Sequence, residues 1–172
     1  KDSFDFVRIG NMFGLQEQGN DLVKLVARAT SCKNACLLFL DDDGTDYSAM
    51  CYFPKSKTNP LSRLWLGQQD PVIKYLRQKR KLLDVEMPAA PGNLKKVLKH
   101  SAVEIRLDKI RLMMPLVSRN RLIGILVLGD KDSGSYSPED RGLLENVAAS
   151  VAVSLEKEYL RDITKLISKK IP

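Results

Sequence analysis

Ile110-Arg111-Leu112-Met113-Met114-Pro115-Leu116-Val117, then Ser118-Arg119-Asn120-Arg121, then Leu122-Ile123-Gly124-Ile125-Leu126-Val127-Leu128, is the stretch that decides the fold. It reads as two apolar strands, 110–117 and 122–128, joined by a short polar link. Such a link connects antiparallel neighbours and cannot cross over to a parallel one. The second strand is apolar at both parities, whereas a strand with one wet face alternates. Helices or long connections must therefore pack on both faces of the sheet.

Toward the C-terminus, a polar segment over 130–136 leads into Ser137-Pro138-Glu139-Asp140. A serine cap, a proline at the first helical position and acids in the first turn predict a helix start. Ser137 is read as a cap and not a nucleophile, because no base stands in a recognisable relation to it. Leu143, Leu144, Val147, Ala148, Val151, Ala152 and Leu155 form the apolar stripe, and the spacing runs on through Tyr159, Ile163 and Leu166. Steps alternating by four and three, flanked by Glu156, Lys157, Glu158, Arg161 and Asp162, are how a coiled coil begins. The expectation is a dimer seam of Leu144, Ala148, Val151, Leu155, Tyr159, Ile163 and Leu166. The simpler alternative is one long helix packed on its own sheet.

Toward the N-terminus, residues 35–40 read as a strand, Asp41-Asp42-Asp43-Gly44 as a turn, and 47–53 as the return strand. The acidic turn is not a calcium loop. Aligning Gly44 with the loop glycine puts Phe39 at the first ligand position and Met50 where a bidentate glutamate belongs. Phe6, Ile9, Met12 and Phe13 predict a helix ending near Gly14, followed by a second helix capped at Asn20 or Asp21 with Leu22, Leu25, Val26 and Ala29 inward. Within the middle region, 54–107, Pro71 suits the first turn of a helix through Val72, Ile73, Tyr75 and Leu76. Leu94, Val97 and Leu98 give a second short stripe, and 103–107 a further strand. So long a mixed excursion predicts a cover over one sheet face.

A chain of 172 residues, 44% apolar and 28% charged, suits one soluble domain with helical extensions. No apolar run approaches the roughly 20 residues that span a bilayer. The start lacks both an initiator Met and a signal-peptide pattern, and the end interrupts a helix, which suggests a piece of a longer protein. The net charge of +7 is spread over 74–81, 95–100, 119–121 and 165–170. Aromatic residues do not interleave with these charges as a stacking platform requires, so they read as solvated helix faces and turns. Neither a nucleic-acid partner nor direct membrane contact is expected. Cys32, Cys36 and Cys51 form no paired Cys-x-x-Cys knuckles, so no disulfide framework, zinc site or other metal site is indicated, and a reducing cytoplasmic setting fits. A single histidine, no HExxH, no P-loop and no interpretable carboxylate pair leave no candidate catalytic residues.

The order Met113-Met114-Pro115-Leu116-Val117, Arg121 to Gly129 (Arg-Leu-Ile-Gly-Ile-Leu-Val-Leu-Gly), Tyr136-Ser137-Pro138-Glu139-Asp140, Leu143-Leu144 and Ala148 resembles a GAF domain. The resemblance covers about 22–155 and is specific over 113–155. It implies an α+β, profilin-like fold: an antiparallel sheet of five or six strands, terminal helices on one face, and pocket-covering helices and loops on the other. The expected organisation is a linker helix over 1–20, a sensory domain over 21–155 and a signalling helix over 156–172. The resemblance also implies a non-catalytic small-molecule sensor, homodimeric through its terminal helices, that regulates a downstream output. A bacterial two-component histidine kinase is the preferred parent, and a membrane anchor elsewhere in that parent is left open. Candidate pocket residues are Tyr52, Trp65, Tyr75, Arg111 and Met113, around an unidentified small molecule. The Asn-Lys-x-Phe-Asp-Glu signature of cyclic-nucleotide-binding members is absent. No cysteine lies near His100 as an attachment point, so no covalent bilin is expected, and a haem ligated by His100 is not favoured over a helix-end cation. Two alternatives stand beside this reading. One is a GAF-fold reductase of free methionine sulfoxide using Cys32, Cys36 and Cys51. The other is a ligand-free scaffold of a cyclase or transcription regulator.

Overall fold

The computed structural model describes residues 2–85, 92–103 and 108–170, with side chains from residue 14 onward except those of 92–95 and 170. In chain order the elements are α1 (Asp2–Thr30), β1 (Ala35–Leu40), β2 (Tyr47–Phe53), β3 (Trp65–Leu66), α2 (Pro71–Lys79), β4 (Leu83–Asp84), α3 (Gly92–Lys99), β5 (Leu112–Ser118), β6 (Arg121–Leu128) and α4 (Pro138–Lys170). The strands form one sheet in the order β3-β2-β1-β6-β5-β4, every pairing antiparallel. This is the α+β antiparallel sheet that the resemblance implies, with six strands where five or six were expected.

The β5–β6 hairpin closes through Arg119 and Asn120, both with positive φ (53° and 62°), between the paired Ser118 and Arg121. Two left-handed residues give the turn whose twist matches that of the flanking strands. All seven residues of β6 after Arg121 are buried, as an apolar run at both parities requires. Pairing and alternation sort the two faces. Leu37 and Phe39 of β1, Leu126 of β6 and Leu116 of β5 lie toward α1 and α4, which pack against each other. Cys36 and Leu38, Ile125 and Val127, and Met113 lie on the opposite face. There the middle region covers them with Leu61, Leu64 and Leu66 and with Val72, Ile73 and Leu76 of α2.

Three local expectations need correction. Asn20 and Asp21 do not cap a helix; they lie inside α1, which breaks at Gly14 (φ 85°), where the first helix was expected to end. Glycine reaches that conformation without steric penalty, so the break falls there and the helix resumes at once. The strand expected over 110–117 begins at Leu112, because Ile110 and Arg111 lead in from a turn. Of the strand expected over 103–107, Val103 has 3₁₀ conformation and 104–107 lie outside the described residues. The Asp41–Gly44 turn is as read, with Gly44 at φ 72° donating its N–H to the Asp41 carbonyl (2.9 Å).

Candidate functional site

Among the described residues, the layer between the sheet and α2 is tightly packed. Leu38, Leu66, Ile73, Leu76, Met113, Ile125 and Val127 are all fully buried there. Among the described residues, neither concavity described below is lined by more than one of the five expected pocket residues. Met113 is inside this packed layer, and Tyr52, opposite Cys36, is half-buried on the same sheet face. Trp65 pairs with Ser48 at the sheet edge, 54% exposed, on the other face. Arg111 precedes β5, its guanidinium 2.7 Å from Asp130. Tyr75 stands on α2 and looks toward α3.

The concavity beside Tyr75 is a groove of about 500 Å³ between α2 and α3. Asp70 fixes its shape. As the α2 cap, its Oδ1 accepts from the Val72 N–H (2.8 Å) and the Ser101 hydroxyl (2.7 Å), while Oδ2 accepts from the Ala102 N–H (3.0 Å). One carboxylate thus joins the start of α2 to the end of α3, through charge-assisted bonds stronger than neutral ones. The far end of α2 is tied to the β5–β6 turn by Arg80, which donates to the Asn120 side-chain oxygen (2.9 Å). Sequence reasoning named Tyr75 but not Asp70. An acid just before Pro71 was the available signal, since aspartate is a favoured cap.

A second concavity, about 400 Å³, lies where α4 passes the β1–β2 turn. Its floor is Leu15, Phe39, Met50 and Ile163, and Asp41, Asp42 and Asp162 line it. Tyr159 stacks at a tilt on Phe39 (5.6 Å) and donates its hydroxyl to the Asp41 carbonyl (2.9 Å).

Helix α4 starts as its sequence demands. Ser137 Oγ accepts from the Asp140 N–H (3.1 Å), and the Asp140 carboxylate accepts from the Ser137 N–H (2.9 Å) and from Lys131 (2.8 Å). Of the expected seam, Leu144, Ala148, Val151, Leu155 and Tyr159 are buried in this chain's own core, Ile163 is half-buried and Leu166 is 39% exposed. The opposite side of the helix exposes Val153 (59%), Leu160 (40%) and Ile167 (54%), seven residues apart, with Ala149 between the preceding turns. Ser154 donates to Gln18 (3.0 Å) and Ser118 to Glu156 (2.8 Å), fixing the rotation of α4 against α1 and the sheet.

The three cysteines are free and buried. Burial pushes all three thiols up, Cys51 to about 12. Cys36 and Cys51 also point to opposite sheet faces. This is the reverse of the exposed, low-pKa thiolate that reductase chemistry needs. Among the described residues, no group of three or more His, Cys, Asp or Glu side chains is arranged to hold a metal ion. Among them, too, no helix is long and apolar enough to cross a membrane.

A GAF-domain family model matches residues 15–156, and the chain belongs to that family. Solved structures of the same fold include the GAF domain of a Coxiella burnetii phosphoenolpyruvate-protein phosphotransferase (16% identity, TM-score 0.67, 94% of each chain covered). The corresponding domain of the Acinetobacter phosphotransferase gives 14% identity and TM-score 0.65, with 91% of each chain covered. The PixJ GAF domain of Thermosynechococcus elongatus, in its blue-light-absorbing form, gives 14% identity and TM-score 0.60, covering 98% of this chain and 94% of that one. At these identities the likeness is one of fold. No curated protein sequence matches the chain.

Proposed function

We propose that the chain is the sensory and dimerisation module of a signalling protein, without catalytic chemistry of its own, and that α4 passes its state to an output domain. The preferred output is a two-component histidine kinase, in a cytoplasmic setting. The observation that carries this reading is the outward stripe of α4. Val153, Leu160 and Ile167 repeat every seven residues on a solvent face, the spacing at which one helix packs against another. The seam therefore moves from the expected one. Leu144 to Tyr159 hold α4 to its own sheet, while Val153, Leu160 and Ile167 face the second copy. Residues 21–155 then form the sensing body and 156–172 the output arm, with 1–20 as the linker helix. Membership of the GAF family supports the regulatory role, as do structural neighbours named as phosphotransferase and PixJ domains. Among the described residues, the packing beneath α2 supports a second reading at the sheet itself, a ligand-free scaffold of the kind found in a cyclase or transcription regulator.

Sedimentation velocity tests the seam. The expected result is a dimer for the wild-type chain at high micromolar concentration, and a folded monomer for Val153→Glu/Leu160→Glu with unchanged circular dichroism. A wild-type monomer under those conditions, or a variant that still dimerises, refutes the reading.

A further inference from the structure

We propose that the groove between α2 and α3 binds a small amphiphilic anion: a flat apolar body carrying one carboxylate, sulfonate or phosphate. Three observations converge on that chemistry. The volume, about 500 Å³, lies within the roughly 300–1,000 Å³ range of small-molecule sites. Pro71, Tyr75 and Val97 supply apolar and aromatic surface, while Lys79, Lys96 and His100 line the same space from both helices. The two helices also carry charge of one sign. Helices α2 and α3 carry three lysines or arginines each and no aspartate or glutamate.

Asp70, at the start of α2, offsets one of these charges, and its oxygens are engaged by Val72, Ser101 and Ala102. Its role is to hold the two helices at a fixed spacing, so the groove is formed before anything enters it. A preformed cleft lined by one sign of charge concentrates counter-ions and loses little entropy on binding. Lysines on facing walls repel each other in the empty groove, and an anion between them removes that repulsion. The apolar floor decides between ligand classes. A duplex or a bilayer surface would meet the lysine heads but could not bring a ring against Tyr75 and Val97 in a recess between two helices. The site lies one layer outside the packed sheet face and uses no sheet residue. For its signalling role it rests on the sensory reading above; binding itself does not.

The test is a titration of the ¹⁵N-labelled chain with 2-naphthoate, beside 2-naphthalenemethanol as the uncharged body and inorganic phosphate as the bare head. Naphthoate is expected to shift the amides of Tyr75, Gln78, Lys96, Val97 and His100 and to saturate, while the other two probes do not saturate. Lys79→Gln/Lys96→Gln removes two exposed charges and leaves the core intact. It is expected to weaken naphthoate about tenfold, roughly threefold per lysine. The proposal is overturned if shifts gather elsewhere, if the alcohol binds equally well, or if the double variant binds like wild type. It is also overturned if the lysines respond to heparin or anionic vesicles but not to naphthoate. Sedimentation of the same samples separates the two readings. A dimer that ignores naphthoate removes the groove and leaves the module, whereas a monomer that binds it does the reverse.

Discussion

Replacing Gly19 by alanine sets two known effects against each other at the contact between α1 and the sheet. A Cβ at Gly19 falls 2.6 Å from Cys51 Sγ, 2.9 Å from Met50 Cε and 3.1 Å from Leu37 Cδ2. In an open helix interior the change would stabilise by about 1 kcal/mol, since alanine loses less backbone freedom than glycine. Here the added methyl overpacks the interface, which typically costs about 1–3 kcal/mol. Met50 Cε is the end of a flexible chain and can turn away. The sulfur cannot easily do so: Cys51 is 1% exposed, and Sγ accepts from the Gln16 amide (3.4 Å) and donates to the Gln16 carbonyl (3.6 Å). A normal contact needs about 1 Å more room. The steric effect therefore falls in the upper half of its range, and Gly19→Ala is expected to lose about 1–2 kcal/mol net in urea unfolding. Cys51→Ala alone should cost about 1 kcal/mol through the small void it leaves. Combined with Gly19→Ala, it frees the space the new methyl needs, so the double variant should be more stable than the sum of the singles by at least about 1 kcal/mol. A Gly19→Ala protein as stable as wild type, with no coupling to Cys51, would mean that α1 stands farther from β2, and would refute the packing described.

Two further predictions concern titratable groups. Burial alone would raise the Asp140 carboxyl, but the Lys131 ammonium and the Ser137 N–H and hydroxyl outweigh it and hold it below the usual aspartate value. A depressed pKa contributes stability that is complete above the unfolded value, about pH 4, and is lost as pH falls through the folded one. Asp140→Asn should thus cost about 2 kcal/mol at neutral pH, with the difference from wild type shrinking below about pH 4; a gap independent of pH in acid unfolding would contradict this. The Cys51 thiol, pushed up to about 12, is roughly one part in ten thousand thiolate at pH 8, and the buried Cys36 is no more reactive. A disulfide-exchange reagent should label both at the rate of unfolding, and rapid native labelling of either would count against the burial.

The parts of the fold that were legible in the sequence are those where one local rule has no competitor. Asp-Gly after an apolar run fixed β1 and β2 to the residue, and Ser137-Pro138-Glu139-Asp140 fixed the start of α4, because turn and cap chemistry act over a few residues. The strands β3 and β4 were missed: two residues apiece show no alternation, and only their neighbours' exposed edges recruit them. The surroundings of the expected pocket residues were illegible for a related reason. Alternation gives the sheet face on which Tyr52 or Met113 lies, but not what covers it, and α2 fills that face with Val72, Ile73 and Leu76. The seam shows the limit most plainly. A stripe at Leu144, Ala148, Val151 and Leu155 satisfies equally the packing of a helix on its own sheet and on a partner, since both need an apolar row recurring about every 3.5 residues. What separates them is a second row. The dimer proposed above rests on Val153, Leu160 and Ile167, exposed at seven-residue intervals on the far side of α4, a row visible only once the first has been assigned to the core.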